Sequence, residues 1–220
     1  MPSYSGVFTL QAQMQAKAAG TWTPLPLVIG QAYEGGFYAG QISTAGTGVA
    51  DYNLVVGPVA SAQVSARQWK TSNTSTAGTS SVIDGPANST AMNNASHPAA
   101  LFCKGLTVGG YSDWYLPAKN ELDVCYFGLK PTTTNNNTSA GVNDNSVPTR
   151  TSTYSAGTPP QTSAANFKDT GAEAYSTSFY WSSTEASATV SWTQYFDYGR
   201  QLNNSKISTF FTRAIRRVPV

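Results

Sequence analysis

The chain has 220 residues, with only 11% charged side chains, 12% aromatic ones and a net charge of +2. A field that weak excludes recognition of nucleic acid through neutralised phosphates, which needs clustered Lys and Arg. One histidine and two cysteines cannot build a four-ligand zinc site, and no apolar run approaches the ~18 residues of a membrane span.

Residues 1–24 read as a separate attachment segment. Met1-Pro2-Ser3-Tyr4-Ser5-Gly6 lacks the basic start and apolar core of a signal peptide, so the expected place of the chain is a cytoplasm, or an export route other than standard secretion. Gly6-Val7-Phe8 suggests a short strand. Thr9 then caps a helix with Leu10, Met14 and Ala18 on one side, and Gly20 closes it. A helix that short is marginal alone, so its apolar stripe, with Phe8, is expected to dock on its own domain, on a partner subunit or on an assembly.

Residues 25–220 read as one α+β domain. Strand-like runs at 27–29, 37–42 and 52–56 are separated by glycines, with Gly35-Gly36 as a turn. Ala66-Arg67-Gln68-Trp69-Lys70 carries an aromatic expected to be partly exposed. Residues 87–129 are predicted helical. Met92, Ala95, Ala99, Phe102, Cys103 and Leu106 form one stripe, kinked or restarted at Pro98, and His97 is a satisfied histidine at a helix start or surface. Gly109-Gly110 breaks the pattern. Pro117 suits the first turn of a second helix with Leu122, Cys125, Tyr126 and Leu129 buried and Gly128 as its stop. Cys103 and Cys125 fall on what read as two facing helices, as buried thiols or as a disulfide.

Residues 130–165 hold almost no large apolar side chains and read as a long Ser/Thr/Asn-rich loop insertion, functional or mobile. Strands return at 179–183 and at 190–198. In the latter, Val190, Trp192, Gln194 and Phe196 alternate with Ser191, Thr193, Tyr195 and Asp197. Gly199 begins a turn, and Phe210 to Val218 is predicted as the last strand. Trp114 and Trp181 are expected core anchors, Asp113 a local acceptor for backbone N–H groups, and the basic end of Arg213, Arg216 and Arg217, with Lys206 and Arg200, is expected to pair in part with Glu185, Asp197 or Asp113.

Between Ser187 and Ser208, Tyr, Ser and Asn are scattered over an apolar framework, the composition of adaptable recognition surfaces. Thr189, Ser191, Gln194, Tyr195, Asp197, Tyr198, Arg200, Asn203 and Asn204 are the candidate ligand-binding residues. A sugar suits such a surface, because aromatic faces stack on its apolar faces while amides and carboxylates bond its hydroxyls. The competing reading is a solvated β-surface without a ligand.

Several of these elements resemble the Lcl C-terminal domain family. Gly109-Gly110-Tyr111-Ser112-Asp113-Trp114-Tyr115-Leu116-Pro117 with Glu121-Leu122 resembles its GGYSDWRLPT-x-x-EL signature, and Tyr180-Trp181-Ser182-Ser183-Thr184-Glu185 its YWSST element. Trp192, Phe196, Gly199, Lys206 and Arg213-Ala214-Ile215-Arg216-Arg217-Val218 resemble its closing run, and Tyr33-Glu34-Gly35-Gly36-Phe37 its opening strand. The sequence departs at Ala118, where a capping Thr or Ser is usual, and at Tyr115, where Arg is usual. The resemblance covers roughly residues 27–220. It implies a fold similar to C-type lectins and the formylglycine-generating enzyme, with two helices on a twisted antiparallel sheet and long polar loops.

Members occur in bacterial adhesins and in tail-fibre and other structural proteins of tailed bacteriophages. The late segment also resembles the variable region of retroelement-diversified receptor-binding proteins, and the Gly6-Val7-Phe8 to Trp22 opening is similar to that of phage fibre-type proteins. The implied protein is a virion component, made in a host cytoplasm. It would contact other virion proteins and a host-surface glycan or protein, as a homo-oligomer that is a trimer by analogy. The alternative is a capsid decoration or accessory protein without ligand. No enzyme activity, cofactor or metal is expected: both cysteines precede the late part of the fold where the formylglycine-generating chemistry sits, the 11 acidic residues show no facing pair for glycoside hydrolysis, and no EF-hand loop or compact acidic cluster offers calcium its six to eight oxygens.

Overall fold

The computed structural model describes Met14 and residues 26–220. Phe8, Leu10 and the remainder of the expected attachment helix lie outside the described residues; Met14 is helical and 65% exposed.

The described chain is mixed α+β, dominated by two sheets rather than the single antiparallel sheet expected. The first has the order β1 (Ala32–Tyr33), β2 (Gly36–Ile42), β3 (Tyr52–Val56), β10 (Ile215–Pro219), with β5 (Ser146–Val147) added to β2. The second has the order β4 (Gln63–Gln68), β9 (Thr209–Arg213), β6 (Phe179–Glu185), β7 (Val190–Tyr195), β8 (Gln201–Ser205). All pairings are antiparallel except β6 with β9. The predicted 210–218 strand is therefore two strands. The chain leaves the second sheet at Arg213 and enters the first at Ile215, with buried Ala214 bonding Ala62 and Gly57 through its backbone. The 27–29 run is not a strand; it is irregular and leads into a turn at 29–30. Gly36 lies so close to β3 that a Cβ there would stand 2.3 Å from the Val56 carbonyl.

Four helices are described: α1 (Val59–Ala62), α2 (Gly85–Ala91), α3 (Pro98–Lys104) and α4 (Lys119–Leu129). The first predicted helical stretch is divided, because Met92 already caps α2 and the chain restarts only where His97 precedes Pro98 at the first turn of α3. The second helix begins two residues after Pro117 and runs past Gly128. Ala118 offers no capping oxygen. The cap comes from another element, as Thr184 Oγ1 of β6 accepts the Lys119 N–H at 3.0 Å, while Glu121 accepts the Ala118 N–H at 2.7 Å. A hydroxyl cap of this kind contributes ~1 kcal/mol.

Two cores result. One gathers Ile42, Leu54, Leu122, Tyr126, Tyr180 and Phe196 between the first sheet, α4 and one face of the second sheet. The other gathers Trp69, Met92, Trp114, Leu116 and Trp181. Trp114 and Trp181 are the expected anchors. Trp114 Nε1 donates to the Tyr111 carbonyl at 3.0 Å and Trp181 Nε1 to that of Arg67 at 2.8 Å. Trp69, expected at the surface, is fully buried and donates to the Ser182 carbonyl at 2.9 Å. Cys103 belongs to the second core and Cys125 to the first, and both are free buried thiols.

The long polar insertion is fastened from within. Asn136 accepts the Tyr126 hydroxyl at 2.6 Å and donates to the Pro159 carbonyl at 2.9 Å, and Asn143 donates to Asp123 at 2.7 Å. Tyr154 packs into the first core. The basic end pairs with Glu185 and Asp113 as expected, and with three further acids, Glu173, Glu121 and Glu34, the last 3.9 Å from Arg216. Lys206 meets Glu185 at 3.0 Å, Arg213 meets Glu173 at 3.0 Å, Arg216 meets Asp113 at 2.7 Å and Arg217 meets Glu121 at 2.7 Å. Asp113 is thus an ion-pair partner rather than a local backbone acceptor. Asp197 accepts from the Thr134 hydroxyl at 2.9 Å instead of pairing with a cation.

His97 sits at the start of α3 with Nε2 against Thr76 Oγ1 at 2.9 Å and Nδ1 against Asn94 Oδ1 at 2.8 Å. Burial, reinforced by the nearby Lys70 and Lys206 charges, lowers its pKa to about 4. The folded state therefore resists a proton that the unfolded chain accepts near 6.5, and stability is lost as pH falls from 6.5 towards 4. The loss from this group is at most about 3 kcal/mol. Melting temperature against pH should show a slope across that window that flattens in His97→Gln; identical slopes in both proteins would refute the assignment.

Candidate functional site

The late strands meet the polar insertion at the turn after β7. Gly199 takes φ +76°, and a Cβ there would lie 2.3 Å from the Tyr126 ring, so the turn requires glycine. Gln194 Nε2 closes the turn on the Gly199 carbonyl at 2.8 Å. Thr132 donates to the Asp197 carbonyl at 2.7 Å, and the Asn137 N–H donates to the Tyr198 carbonyl at 2.8 Å. Insertion and turn thus form one surface.

In that surface lies a depression of about 500 Å³ lined by Lys119, Asn137, Ser139, Trp192, Arg200 and Gln201, with Ala140 and Leu202. Trp192 is half-buried, and the Lys119 ammonium stands 4.5 Å from its ring centre. Gln201 reaches the Lys119 carbonyl at 3.3 Å. Among the described residues, neither Lys119 nor Arg200 has an ion-pair partner. Partial burial lowers the Lys119 pKa. A second depression, of about 420 Å³, lies between β2, α4 and residues 146–163 and is lined mainly by apolar side chains, among them Tyr38, Phe127 and Pro160.

The expected alternation holds along β7. Trp192 stands opposite Asn203 and Gln194 opposite Gln201 on one face, and Thr193 stands opposite Leu202 on the other. The strand ends at Tyr195, and Phe196 turns into the core. On the Thr193 face, Tyr195 stands opposite Phe179 with ring centres 4.5 Å apart. Tyr198 lies 4.8 Å beyond Tyr195, and Phe210 lies 5.3 Å beyond Phe179. This half-buried aromatic row ends at the same turn that borders the depression.

The candidate residues separate accordingly. Thr189, Arg200 and Asn203 are exposed, and Tyr195, Asp197, Tyr198 and Asn204 are half-buried. Ser191 and Gln194 are corrections: both are fully buried and bond backbone carbonyls, those of Thr184 and Gly199, so they shape the framework and touch no solvent. Of the nine candidates, only Arg200 lines the depression. Lys119, Asn137 and Trp192 were missed. The half-exposed indole of Trp192 had a signal in the alternation of β7; Lys119 and Asn137 arrive from distant segments and had none.

The family model described as Lcl C-terminal domain matches residues 61–216, well over half of the chain, and leaves the Tyr33–Phe37 element outside the matched range. The curated proteins contain no match.

Proposed function

The chain belongs to the Lcl C-terminal domain family, and on that premise we propose that it is a non-enzymatic recognition protein of a tailed-bacteriophage virion. In this reading it presents a C-type-lectin-like domain, on a fibre or another tail-associated position, to a host-surface glycan or protein. Residues 1–24 join it to other virion proteins or to further copies of itself.

The observation that carries the reading is the depression at Trp192. It offers an aromatic ring, two cations without ion-pair partners among the described residues, and amide and hydroxyl groups, all set on a bonded scaffold. Saccharides are held by that combination of an apolar face and directed polar groups, and aromatic anchors dominate recognition energetics. Asn203, opposite Trp192 on the same face, extends the surface beside it, and Tyr198 lies in the turn next to Arg200.

Replacing Trp192 and Arg200 together with Ala tests the proposal. Adsorption of particles to host cells should fall at least tenfold, while assembly and incorporation of the chain stay unchanged. Undiminished adsorption would favour a decoration or accessory protein without a ligand.

A further inference from the structure

At the far end of β8 from the candidate site, three loops converge on two buried ammonium groups. Lys206 is 0% exposed and Lys70 9%. Lys206 Nζ donates to the carbonyls of Thr74 at 3.0 Å and Ala188 at 2.9 Å, and meets Glu185 Oε1 at 3.0 Å. Lys70 Nζ donates to the carbonyls of Thr74 at 3.1 Å and Ser75 at 2.8 Å, and to Thr76 Oγ1 at 2.9 Å. An ammonium has three N–H donors, and each lysine uses all three on protein oxygens. The Thr74 carbonyl serves both.

The surroundings are arranged around this charge. Glu185 also accepts the Thr76 N–H at 2.8 Å and the Thr79 hydroxyl at 2.9 Å with its other oxygen. The Trp69 ring lies 4.7 Å from the Lys206 ammonium. His97, whose Nε2 meets Thr76, faces both lysines and stays neutral. Two buried positive charges thus share a single carboxylate, and backbone carbonyls supply the rest of the solvation that water would give.

We infer that Lys206 and Lys70 form a built-in cation centre, doing for the loops at 70–79 and 185–189 what a bound metal ion does for carbonyl-rich loops. Each ammonium replaces an ion's coordination by three fixed hydrogen bonds, and the tether makes its occupancy permanent. The centre holds the loop carrying Thr189 through the ammonium bond to the neighbouring Ala188 carbonyl, beside the separate bond of the Lys206 backbone N–H to the Thr189 carbonyl at 3.1 Å. Removing the Lys206 side chain would leave a cage of two carbonyls and a carboxylate with the chemistry to take a small alkylammonium from solution. This inference concerns the scaffold and is independent of any ligand at Trp192.

The test compares the intact chain with Lys206→Ala and Lys70→Ala. The melting temperature of the intact chain should not change with EDTA or added calcium; a fall in EDTA would overturn the inference. Lys206→Ala should lower it by on the order of 10 °C, the shift that breaking a buried ion pair gives at this size. Hydrogen exchange should rise at 71–80 and 186–189. Propylammonium should restore part of both, and tetramethylammonium at equal ionic strength should not; absence of that difference would overturn the inference. Should Lys206→Ala fail to fold, Lys70→Ala carries the same readouts with smaller shifts, and unchanged exchange at 71–80 in that variant would count against it.

Discussion

Glu121→Ala should destabilise the protein by about 3–5 kcal/mol, the range for breaking a buried ion pair by removing one partner. Glu121 is 0% exposed, and its two oxygens serve three groups. Oε1 accepts the Tyr115 hydroxyl at 2.6 Å and Arg217 Nε at 2.7 Å, and Oε2 accepts the Ala118 N–H at 2.7 Å. Burial pushes the carboxyl pKa up, while the Arg217 charge and the three hydrogen bonds pull it back. Loss of the side chain leaves the half-buried Arg217 guanidinium, the Tyr115 hydroxyl and the start of α4 without their acceptor at once. Because native domains hold only about 5–15 kcal/mol in total, a large share of the stability depends on this one carboxylate. Urea unfolding of Glu121→Ala measures it. A loss below about 1 kcal/mol, in the range of exposed pairs, would show that the cluster is not the clamp described.

Trp192→Ala should weaken binding of the host-surface ligand ten- to a hundredfold, about 1.4–2.8 kcal/mol. Among the described residues Trp192 is the one aromatic ring lining the depression, and the Lys119 ammonium above it is placed by the start of α4. The ring is half-buried, so its removal costs some stability, but the folded fraction can be followed separately by far-UV circular dichroism. Retained affinity in a folded Trp192→Ala protein would move the site elsewhere, the aromatic row of Tyr198, Tyr195 and Phe179 being next in line.

Much of this arrangement was legible from local pattern. The stripe of Leu122, Cys125, Tyr126 and Leu129 marks α4, and Trp114 and Trp181 sit where the family resemblance expects anchors. The polar loop, the Gly199 turn and the alternation of β7 follow from residue type and period. What escaped is what only tertiary contact decides. Nothing at Ala214 breaks a strand pattern; the division exists because β9 and β10 join different sheets. Asp113 has the composition of a turn acceptor, yet its partner Arg216 lies 103 positions away. The missing cap at Ala118 is supplied by Thr184, 65 positions from Lys119. Ser191 and Gln194 have the side chains of a recognition surface but are spent on carbonyls of their own hairpin. The depression itself joins residues of α4, the insertion and the hairpin, so composition within the late strands could point only to its rim.

The most direct test of the central claim is binding of the purified chain, beside Trp192→Ala, to host envelope fragments and to an array of oligosaccharides. Saturable binding to the envelope or to one saccharide class, lost in the variant, is the predicted result. No saturable binding to either, or equal binding by both proteins, would contradict recognition at this site.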